Sequence, residues 1–265
     1  MIDIYRTHYR IYLAWALQYR VILGLWAIAG VVEMLVALAV WTAVAGTSAD
    51  GSVGGYAHAT FAAYFVMVMI VCDLTHTWIF WMWDWRVREG SFSSLLLRPV
   101  HPLHADIADN VAVKTLSMAM KLPVAVAIAW AYDARISDDP LTLAAFALAL
   151  MLAYLLRVAI ESCLACLAFW MTKLNAVVQA YYLAFAFLSG QFAPVSLLPG
   201  VIGQVAGALP FQWVVGFPVE LALGRLTHDE IVHGLAAQTA WVAAMYTVFR
   251  LMWRASSKRY TAVGS

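Results

Sequence analysis

Six ionisable side chains inside otherwise apolar stretches are the residues best placed to do chemistry in this sequence. They are Glu33, Asp73, Lys114, Lys121, Arg157 and Glu161. An unpaired charge at the centre of a membrane helix costs about 2.5–3.5 kcal/mol, so such residues usually face a helix bundle and find partners. These six could form a proton relay or a polar substrate path, or they could form ion pairs that hold helices together. The equal numbers of acids and bases favour ion pairs, and Arg157 and Glu161, four residues apart, share a helix face.

Other patterns that could support catalysis, metal binding or nucleotide binding do not meet their requirements. The sequence contains no Gly-Lys pair, so it has no P-loop for a nucleotide. His228 and His233 are five residues apart, whereas two helical zinc ligands on one face are four apart. Cys163 and Cys166 form a C-x-x-C within an apolar helix, which indicates packing rather than redox chemistry. We predict no catalytic residue, no metal site and no cofactor on this chain.

The composition indicates that lipid surrounds most of the chain. Of the 265 residues, 64% are hydrophobic and 12% are charged, whereas soluble domains have about 25% charged residues. The net charge of +1 provides no general basic field for a nucleic acid partner. The fold class predicted from these values is an all-α membrane protein whose non-protein partner is membrane lipid.

Apolar runs predict six transmembrane helices. They cover about 21–46, 56–84, 106–132, 141–172, 175–192 and 232–254. All except the fifth exceed the ~20 residues needed to cross the hydrocarbon layer. The chain is accordingly divided into an N-terminal segment, residues 1–20, and a six-span domain, residues 21–265.

Two flanking segments are too irregular or too polar to span. Residues 1–20 predict an amphipathic helix lying in the membrane interface, with Arg6 and Arg10 on one side and Trp15 on another; a tail facing water is the alternative. Residues 193–224 are apolar but interrupted by Pro194, Pro199, Pro210 and Pro218. Because proline breaks a helix, this segment predicts a re-entrant helical hairpin on the outer side, before the last span.

The distribution of basic residues predicts the orientation of the chain. With the N-terminus in the cytoplasm, the inner segments contain Arg6, Arg10, Arg20, Arg86, Arg88, Arg98, Lys173, Arg250, Arg254, Lys258 and Arg259. The outer segments then contain only Arg135 and Arg225. Since cytoplasmic loops are rich in Lys and Arg, both termini and residues 85–105 are predicted to be cytoplasmic.

Two motifs in this topology resemble a known family. The first lies in "REGSFSSLLLRPVHP" and consists of Glu89, Gly90, Leu96, Leu97, Arg98 and Pro99. The second lies in "LSGQFAPVSLLPGVIGQVAGALPF" and consists of Gly190, Phe192, Pro194, Leu198, Pro199, Leu209, Pro210 and Phe211. Together with six spans and an interfacial helix, they resemble the permease subunits of type-2 ABC exporters, and more narrowly an uncharacterised branch of that family.

The resemblance implies that residues 85–105 are a cytoplasmic coupling loop on which a separate ABC ATPase docks, with ATP and Mg²⁺ bound to that ATPase. The implied coupling residues are Glu89, Gly90, Phe92, Leu95, Leu96, Arg98 and Pro99. Here Glu89 and Ser91 suit a helix start, Phe92, Leu95 and Leu96 form an apolar stripe for a groove, and Pro99 ends the helix. The alternative is an interfacial loop whose leucines enter lipid.

The resemblance also implies an outer gate, a second subunit and a location. The gate residues are Gly190, Phe192, Pro194, Pro199, Pro210 and Phe211. The substrate would leave between two permeases, identical or merely similar, past spans one, two and five, in the bacterial cytoplasmic membrane. An ion-coupled secondary transporter is the alternative function; such carriers usually have inverted repeats and broken central helices. No repeat is visible here, and the breaks lie in the outer segment 193–224.

Overall fold

A computed structural model describes residues 2–171 and 173–259, and within these residues the fold is all-helical. In chain order the helices are α1 (Ile2–Gln18), α2 (Arg20–Gly46), α3 (His58–Thr75), α4 (Ile79–Arg88), α5 (Phe92–Leu96), α6 (Pro102–Ala131), α7 (Pro140–Cys166), α8 (Asn175–Leu188), α9 (Gly200–Ala208), α10 (Gly216–Ala222) and α11 (His228–Ser257). The β-pairing in this part of the chain is a single bridge between Val53 and Tyr56. The predicted all-α class is confirmed.

Four helical stretches among the described residues are long and apolar enough to cross a membrane. They are Arg20–Gly46, His58–Arg88, Pro102–Ala131 and Pro140–Phe169. These stretches correspond to the first four predicted spans. The fifth, α8, has only 14 residues. The sixth, α11, has 30 residues, but polar side chains such as Gln238 and Arg250 lower its hydropathy. Six spans therefore remain a prediction, of which four have the expected length and composition.

The second predicted span, 56–84, expected to be one helix, is interrupted in its second half, at residues 76–78. Helix α3 ends at Thr75 and α4 begins at Ile79. Between them, the hydroxyl of Thr77 donates a hydrogen bond to the buried carboxylate of Glu161 on α7. The break is thus associated with a polar group of a neighbouring helix, which periodicity along one segment cannot reveal.

Helix α7 is the centre of the bundle and contacts α3, α4, α10 and α11. Its N-terminus is capped by Asp139, whose carboxylate accepts from the backbone N–H of Thr142 at 2.9 Å. Helix α11 begins with a capping box formed by Thr227 and Glu230. Both long helices therefore start where their sequences supply acceptors for the first free N–H groups.

One end of the bundle gathers both terminal helices and the loop between α4 and α6. Phe92 of α5 packs against Trp253 near the end of α11, with ring centroids 6.2 Å apart. On the other side, Tyr5 of α1 hydrogen-bonds His104 of α6 at 2.7 Å. The described parts of the two termini therefore lie at the same end as the predicted coupling loop.

Helix α1 has a packed face that its amphipathic pattern does not show. Tyr5, His8, Tyr12 and Ala16 recur at helical spacing, and this side of α1 contacts α6. Burial and then the neighbouring Asp109 carboxylate raise the pKa of Tyr12 to about 12. A second face, which includes Ile11 and Trp15, is exposed, as is Tyr19 just after the helix. The contact with α6 anchors α1 to the bundle, and its position in the membrane interface stays a prediction.

The opposite end of the bundle is built by the Pro-rich segment 193–224. It contains two short helices, α9 with nine residues and α10 with seven, which are both too short to span. Gln238 of α11 joins this segment to α7, because its amide donates to the carbonyl oxygens of Trp213 at 2.7 Å and Ala149 at 3.1 Å. The two short helices predicted here are present, and their re-entry into the membrane stays a prediction.

Candidate functional site

A cavity of about 650 Å³ lies between α2, α3, α6 and α8. Five of the six predicted buried charges are in its wall: Glu33, Asp73, Lys114, Lys121 and Arg157. Most of the remaining wall is apolar and includes Trp26, Met34, Phe65, Met69 and Phe185. These helices include the first, second and fifth predicted spans, which the family resemblance associates with the substrate path, and α6 in addition.

The first ion pair in this wall joins α3 to α6. The ammonium of Lys121 contacts the carboxylate of Asp73, and Ser117 donates to the same Oδ1 atom at 2.8 Å. A Cβ atom added at Gly30 of α2 would lie 3.1 Å from Nζ of Lys121. Three helices therefore meet at this pair, and a glycine on α2 makes room for it.

The second ion pair lies on α7. Nε of Arg157 donates to Oε1 of Glu161 at 2.9 Å, and the two side chains are 4% and 0% exposed. The guanidinium also lies 3.9 Å from the centroid of the Phe185 ring on α8. Glu161 itself lies behind the cavity wall, where Thr77 supplies its other hydrogen bond.

The two remaining charges, Lys114 and Glu33, have no ion-pair partner within the described residues. Nζ of Lys114 is buried without a hydrogen-bond partner in the same part of the chain and lies 3.9 Å from the centroid of the Tyr154 ring. Glu33 is exposed and accepts from Nε2 of Gln191 at 2.9 Å. Four of the six charges are thus in ion pairs, of which Asp73–Lys121 joins two helices and Arg157–Glu161 lies within α7, while Lys114 and Glu33 line the cavity outside any ion pair of the described residues.

The segment predicted to couple to an ATPase starts differently from the expectation. Glu89 caps the C-terminus of α4, and Gly90 follows with a φ of +71°, a conformation that favours glycine. Ser91 precedes α5 but makes no side-chain capping bond. The interpretation of Glu89 and Ser91 as acceptors at the start of α5 is therefore wrong, because α4 extends further than the sequence pattern indicated.

Phe92 is buried in the bundle rather than presented to a partner. Its ring centroid lies 5.2 Å from those of Trp83 and Phe169. Leu95 and Leu96 are half-buried against the same cluster, whereas Leu97 is 87% exposed. The predicted stripe of Phe92, Leu95 and Leu96 therefore faces largely inward. A five-residue helix has room for one apolar face, and here the protein's own core takes it.

The outward surface of this loop is formed by Leu97, Arg98 and Pro99, which are all exposed. A small pocket of about 170 Å³ separates them from α1 and is lined by His8, Arg98, Pro99 and His101, among others. His101 accepts from the backbone N–H of Leu103 at 3.2 Å. Burial lowers the pKa of His101 to about 4, which keeps this cap neutral at neutral pH. The loop and α1 thus line the same small pocket.

Asp106, which the sequence pattern did not single out, links α4 to α6. Its carboxylate is 1% exposed and accepts from Nη1 of Arg86 and from Nε1 of Trp83, each at 2.7 Å. Asp106 is the first residue of the third predicted span, 106–132, and is not among the six charges expected inside the spans. The sequence feature that could have indicated this contact is the Trp-Asp-Trp-Arg run of α4, which is followed by an acid at the start of the next predicted span.

The predicted outer-gate residues fall into four environments. Gly190, Pro194 and Pro210 are buried, Phe211 packs near the Phe185 ring, and Pro199 is exposed. Phe192 lines the cavity, and its carbonyl oxygen accepts from Nε1 of Trp41 at 2.9 Å. The structure therefore places Phe192 at the cavity and Pro199 away from it.

A further polar cluster at this end was not recognised from the sequence. Tyr56 donates to the carboxylate of Glu220, and Nε of Arg225 lies 3.2 Å from the same carboxylate. The guanidinium of Arg225 also stacks 4.0 Å from the Tyr56 ring centroid. Glu220 could have indicated this cluster, because it is the acid within an otherwise apolar outer segment. The cluster connects the loop before α3 to α10.

Gly190, just before the outer segment 193–224, lies in closely packed surroundings. It has a φ of +94°, and an added Cβ atom would lie 2.9 Å from the Tyr64 hydroxyl and 3.0 Å from Cα of Gly216. Gly200 also has a positive φ, +43°, but no atom within 4 Å of an added Cβ. Gly190→Ala is expected to lower the unfolding midpoint in detergent clearly more than Gly200→Ala, for which only the strain of about 1–2 kcal/mol applies. Equal midpoints would contradict the close packing at Gly190.

The helical fold and the four apolar stretches are those of an integral membrane protein, and the cavity with its charged side chains lies among those helices. Residues 31–264 match the model of a family described as ABC-2 family transporter protein. The match covers most of the chain, so the chain belongs to this family, and the resemblance stated from its motifs is confirmed. The family forms the membrane permease of an ABC transporter and is not itself catalytic. Among curated proteins, none matches the chain.

Proposed function

We propose that this chain is the permease subunit of an ATP-driven exporter, working with a separate ABC ATPase and a second permease subunit. The observation that carries the proposal is the position of α4. Trp78, immediately before α4, lines the cavity, and Arg88 at its other end precedes the exposed loop. Ten helical residues span about 15 Å. The short helix α4, which Asp106 holds through Arg86 and Trp83, therefore connects the surface available to a partner with the cavity available to a substrate.

In this proposal the ATPase docks on the surface formed by α1 and the loop residues Leu97, Arg98 and Pro99. Movement of that surface passes to α4 through the ring of Phe92 against Trp83. The ion pair and hydrogen bond to Asp106 couple α4 to α6, which also forms the cavity wall. The docking surface is thus the exposed side of the coupling loop, and the inward side transmits the motion.

In the proposed topology, the chain crosses the bacterial cytoplasmic membrane six times, and both of its termini lie in the cytoplasm. The described basic residues that are exposed at or near inner segments are Arg6, Arg10, Arg20, Arg88, Arg98, Lys173, Arg250, Arg254, Lys258 and Arg259. Helix α8 covers about 21 Å, less than the ~30 Å hydrocarbon layer. It then ends within the membrane, and the re-entrant segment 193–224 completes the outer half and acts as the gate. Helix α1 lies along the inner interface.

The test is co-purification of an ABC ATPase with this chain from cells that express both. Leu97→Asp combined with Arg98→Glu is expected to reduce ATPase recovery at least tenfold, because it removes an exposed apolar contact and reverses a charge at the docking surface. Ile136→Asp, at an exposed apolar position of the opposite end, is the matched control and should not change recovery. Thermal unfolding in detergent checks that all variants remain folded.

Two results would overturn the proposal. One is full ATPase recovery with the Leu97/Arg98 variant. The other is transport by the purified permease in vesicles under an ion gradient alone, which would favour a secondary transporter. The pairing of Asp73 with Lys121 and of Glu161 with Arg157 argues against that alternative, since a proton relay needs acids free to exchange protons.

A further inference from the structure

Lys114 is the group in the cavity whose bonding is incomplete. An ammonium has three N–H donors, yet Nζ of Lys114 is buried with no hydrogen-bond partner within residues 2–171 and 173–259. The Tyr154 ring supplies a cation–π contact at 3.9 Å, which satisfies one side of the ammonium. A buried ammonium left in this state is costly unless an acceptor arrives from elsewhere.

The acids near Lys114 are already engaged with other cations. The charges that act on Lys114 come from Arg157, Glu161 and Asp73. Glu161 is bound by Arg157 and Thr77, and Asp73 is bound by Lys121 and Ser117. Each pair is complete, so no acid of these pairs is left for Lys114, which has no ion-pair partner among the described residues. An acidic group entering the cavity would neutralise it.

Asp73 adds a second requirement for such an entering group. Its Oδ1 atom takes the bonds from Lys121 and Ser117, while its Oδ2 atom is buried with no partner among the described residues. An acidic head group that also bears a hydroxyl can donate to this oxygen while accepting from Lys114. A phosphate monoester that retains one proton has both functions.

The rest of the cavity suits a hydrocarbon chain. Its wall on α2 and α3 includes Trp26, Met34, Phe65 and Met69. The Trp26 ring lies 4.9 Å from that of Trp78, so this wall is continuous from α2 to the start of α4. The volume of about 650 Å³ lies within the ~300–1,000 Å³ of small-molecule sites.

We propose that the cavity binds an amphiphile with an acidic, hydroxyl-bearing head group, which contacts Lys114 and Asp73, and with an alkyl chain that lies along α2 and α3. This rests on the proposed function, in which the cavity is the substrate path, and it names the class of substrate. Glu33 lies on another helix and is exposed and bound by Gln191, so it does not compete for Lys114.

The test uses the permease alone, in nanodiscs of zwitterionic phosphatidylcholine, with equilibrium binding of radiolabelled hexadecyl phosphate. Hexadecan-1-ol keeps the chain without the acid, and inorganic phosphate keeps the acid without the chain. Wild-type protein is expected to bind hexadecyl phosphate at least tenfold more tightly than either. Lys114→Met is expected to lose tenfold or more of the affinity for hexadecyl phosphate and none for the alcohol, as for loss of a charge-assisted hydrogen bond.

Lys173→Met, at an exposed position outside the cavity, is the matched control and should bind like the wild type. The comparison of hexadecyl phosphate with hexadecan-1-ol on wild-type protein needs no variant, so the proposal is tested even where Lys114→Met fails to fold. Equal binding of acid and alcohol overturns it. Tighter binding of hexadecylamine, or inorganic phosphate binding as tightly as its alkyl ester, overturns it as well. No ATPase is present, so loss of ATPase docking and loss of ligand binding are separate results.

Discussion

Glu161→Ala is expected to destabilise the protein by about 3–5 kcal/mol, because it leaves the charge of Arg157 buried without its carboxylate. The Arg157 side chain is only 4% exposed, so water cannot replace the lost partner. Thr77 loses its acceptor in the same change. The measurement is thermal unfolding in detergent, with the yield of monodisperse protein as a second readout.

The double variant Arg157→Leu/Glu161→Leu separates the cost of an unpaired charge from the cost of losing the pair. It removes both charges together, so its loss of stability is expected to be smaller than the sum of the losses of Arg157→Leu and Glu161→Leu, by a coupling of about 0.5–3 kcal/mol. Asp138→Ala, at an exposed acid of the loop before α7, is the control for losing a carboxylate and should be neutral. Additive losses at Arg157 and Glu161 would show that the two side chains do not depend on each other.

Gly234→Ala is expected to have the second large effect, because α11 and α10 touch where this residue lacks a side chain. An added Cβ atom would lie 2.0 Å from Cε2 of Phe217, and two other ring atoms are within 2.6 Å. Phe217 is 9% exposed and packed on α7 and α11, so its ring cannot move aside freely. Overpacking of this kind typically costs about 1–3 kcal/mol.

The same substitution at Gly24 gives the matched control. Gly24 is also inside a long helix, but nothing lies within 4 Å of an added Cβ atom. Gly24→Ala should therefore stabilise α2 slightly, by up to about 1 kcal/mol, the helix propensity difference. Adding Phe217→Leu to Gly234→Ala is expected to recover part of the loss. Equal unfolding midpoints for Gly24→Ala and Gly234→Ala would contradict the tight contact.

The buried ion pairs and the glycine contact have a common consequence for a transporter. Four of the six intramembrane charges are fixed in pairs, and Phe217 of α10 is packed closely against Gly234 of α11, so repacking the helices around α7 would break several of these contacts. Movement that opens the cavity is then more easily carried by short elements such as α4 and the outer segment 193–224 than by repacking α7. In the proposed mechanism, those are the elements that connect the loop and the gate to the cavity.

The sequence by itself was sufficient for the class, the family and the first four apolar helices. An apolar composition indicates that lipid surrounds the chain, and the length of an apolar helix must match the thickness of the membrane. Both properties can be seen in one stretch of sequence at a time. The motif that includes Glu89, Gly90 and Arg98 indicated the family, which the match over residues 31–264 confirms. The six intramembrane charges were found because a charge stands out against an apolar run.

Only the tertiary structure decided which way those residues face and which partners they take. Asp73 pairs with Lys121, 48 residues away, and Phe92 turns inward onto Trp83 rather than outward. Each outcome depends on the rotation of one helix against another, which a periodic pattern in a single segment does not contain. The break between α3 and α4 has the same origin, since Thr77 there meets Glu161 of α7. Inter-helix packing, and not local propensity, selected the charge partners, the buried face of the coupling loop and the cavity that they line.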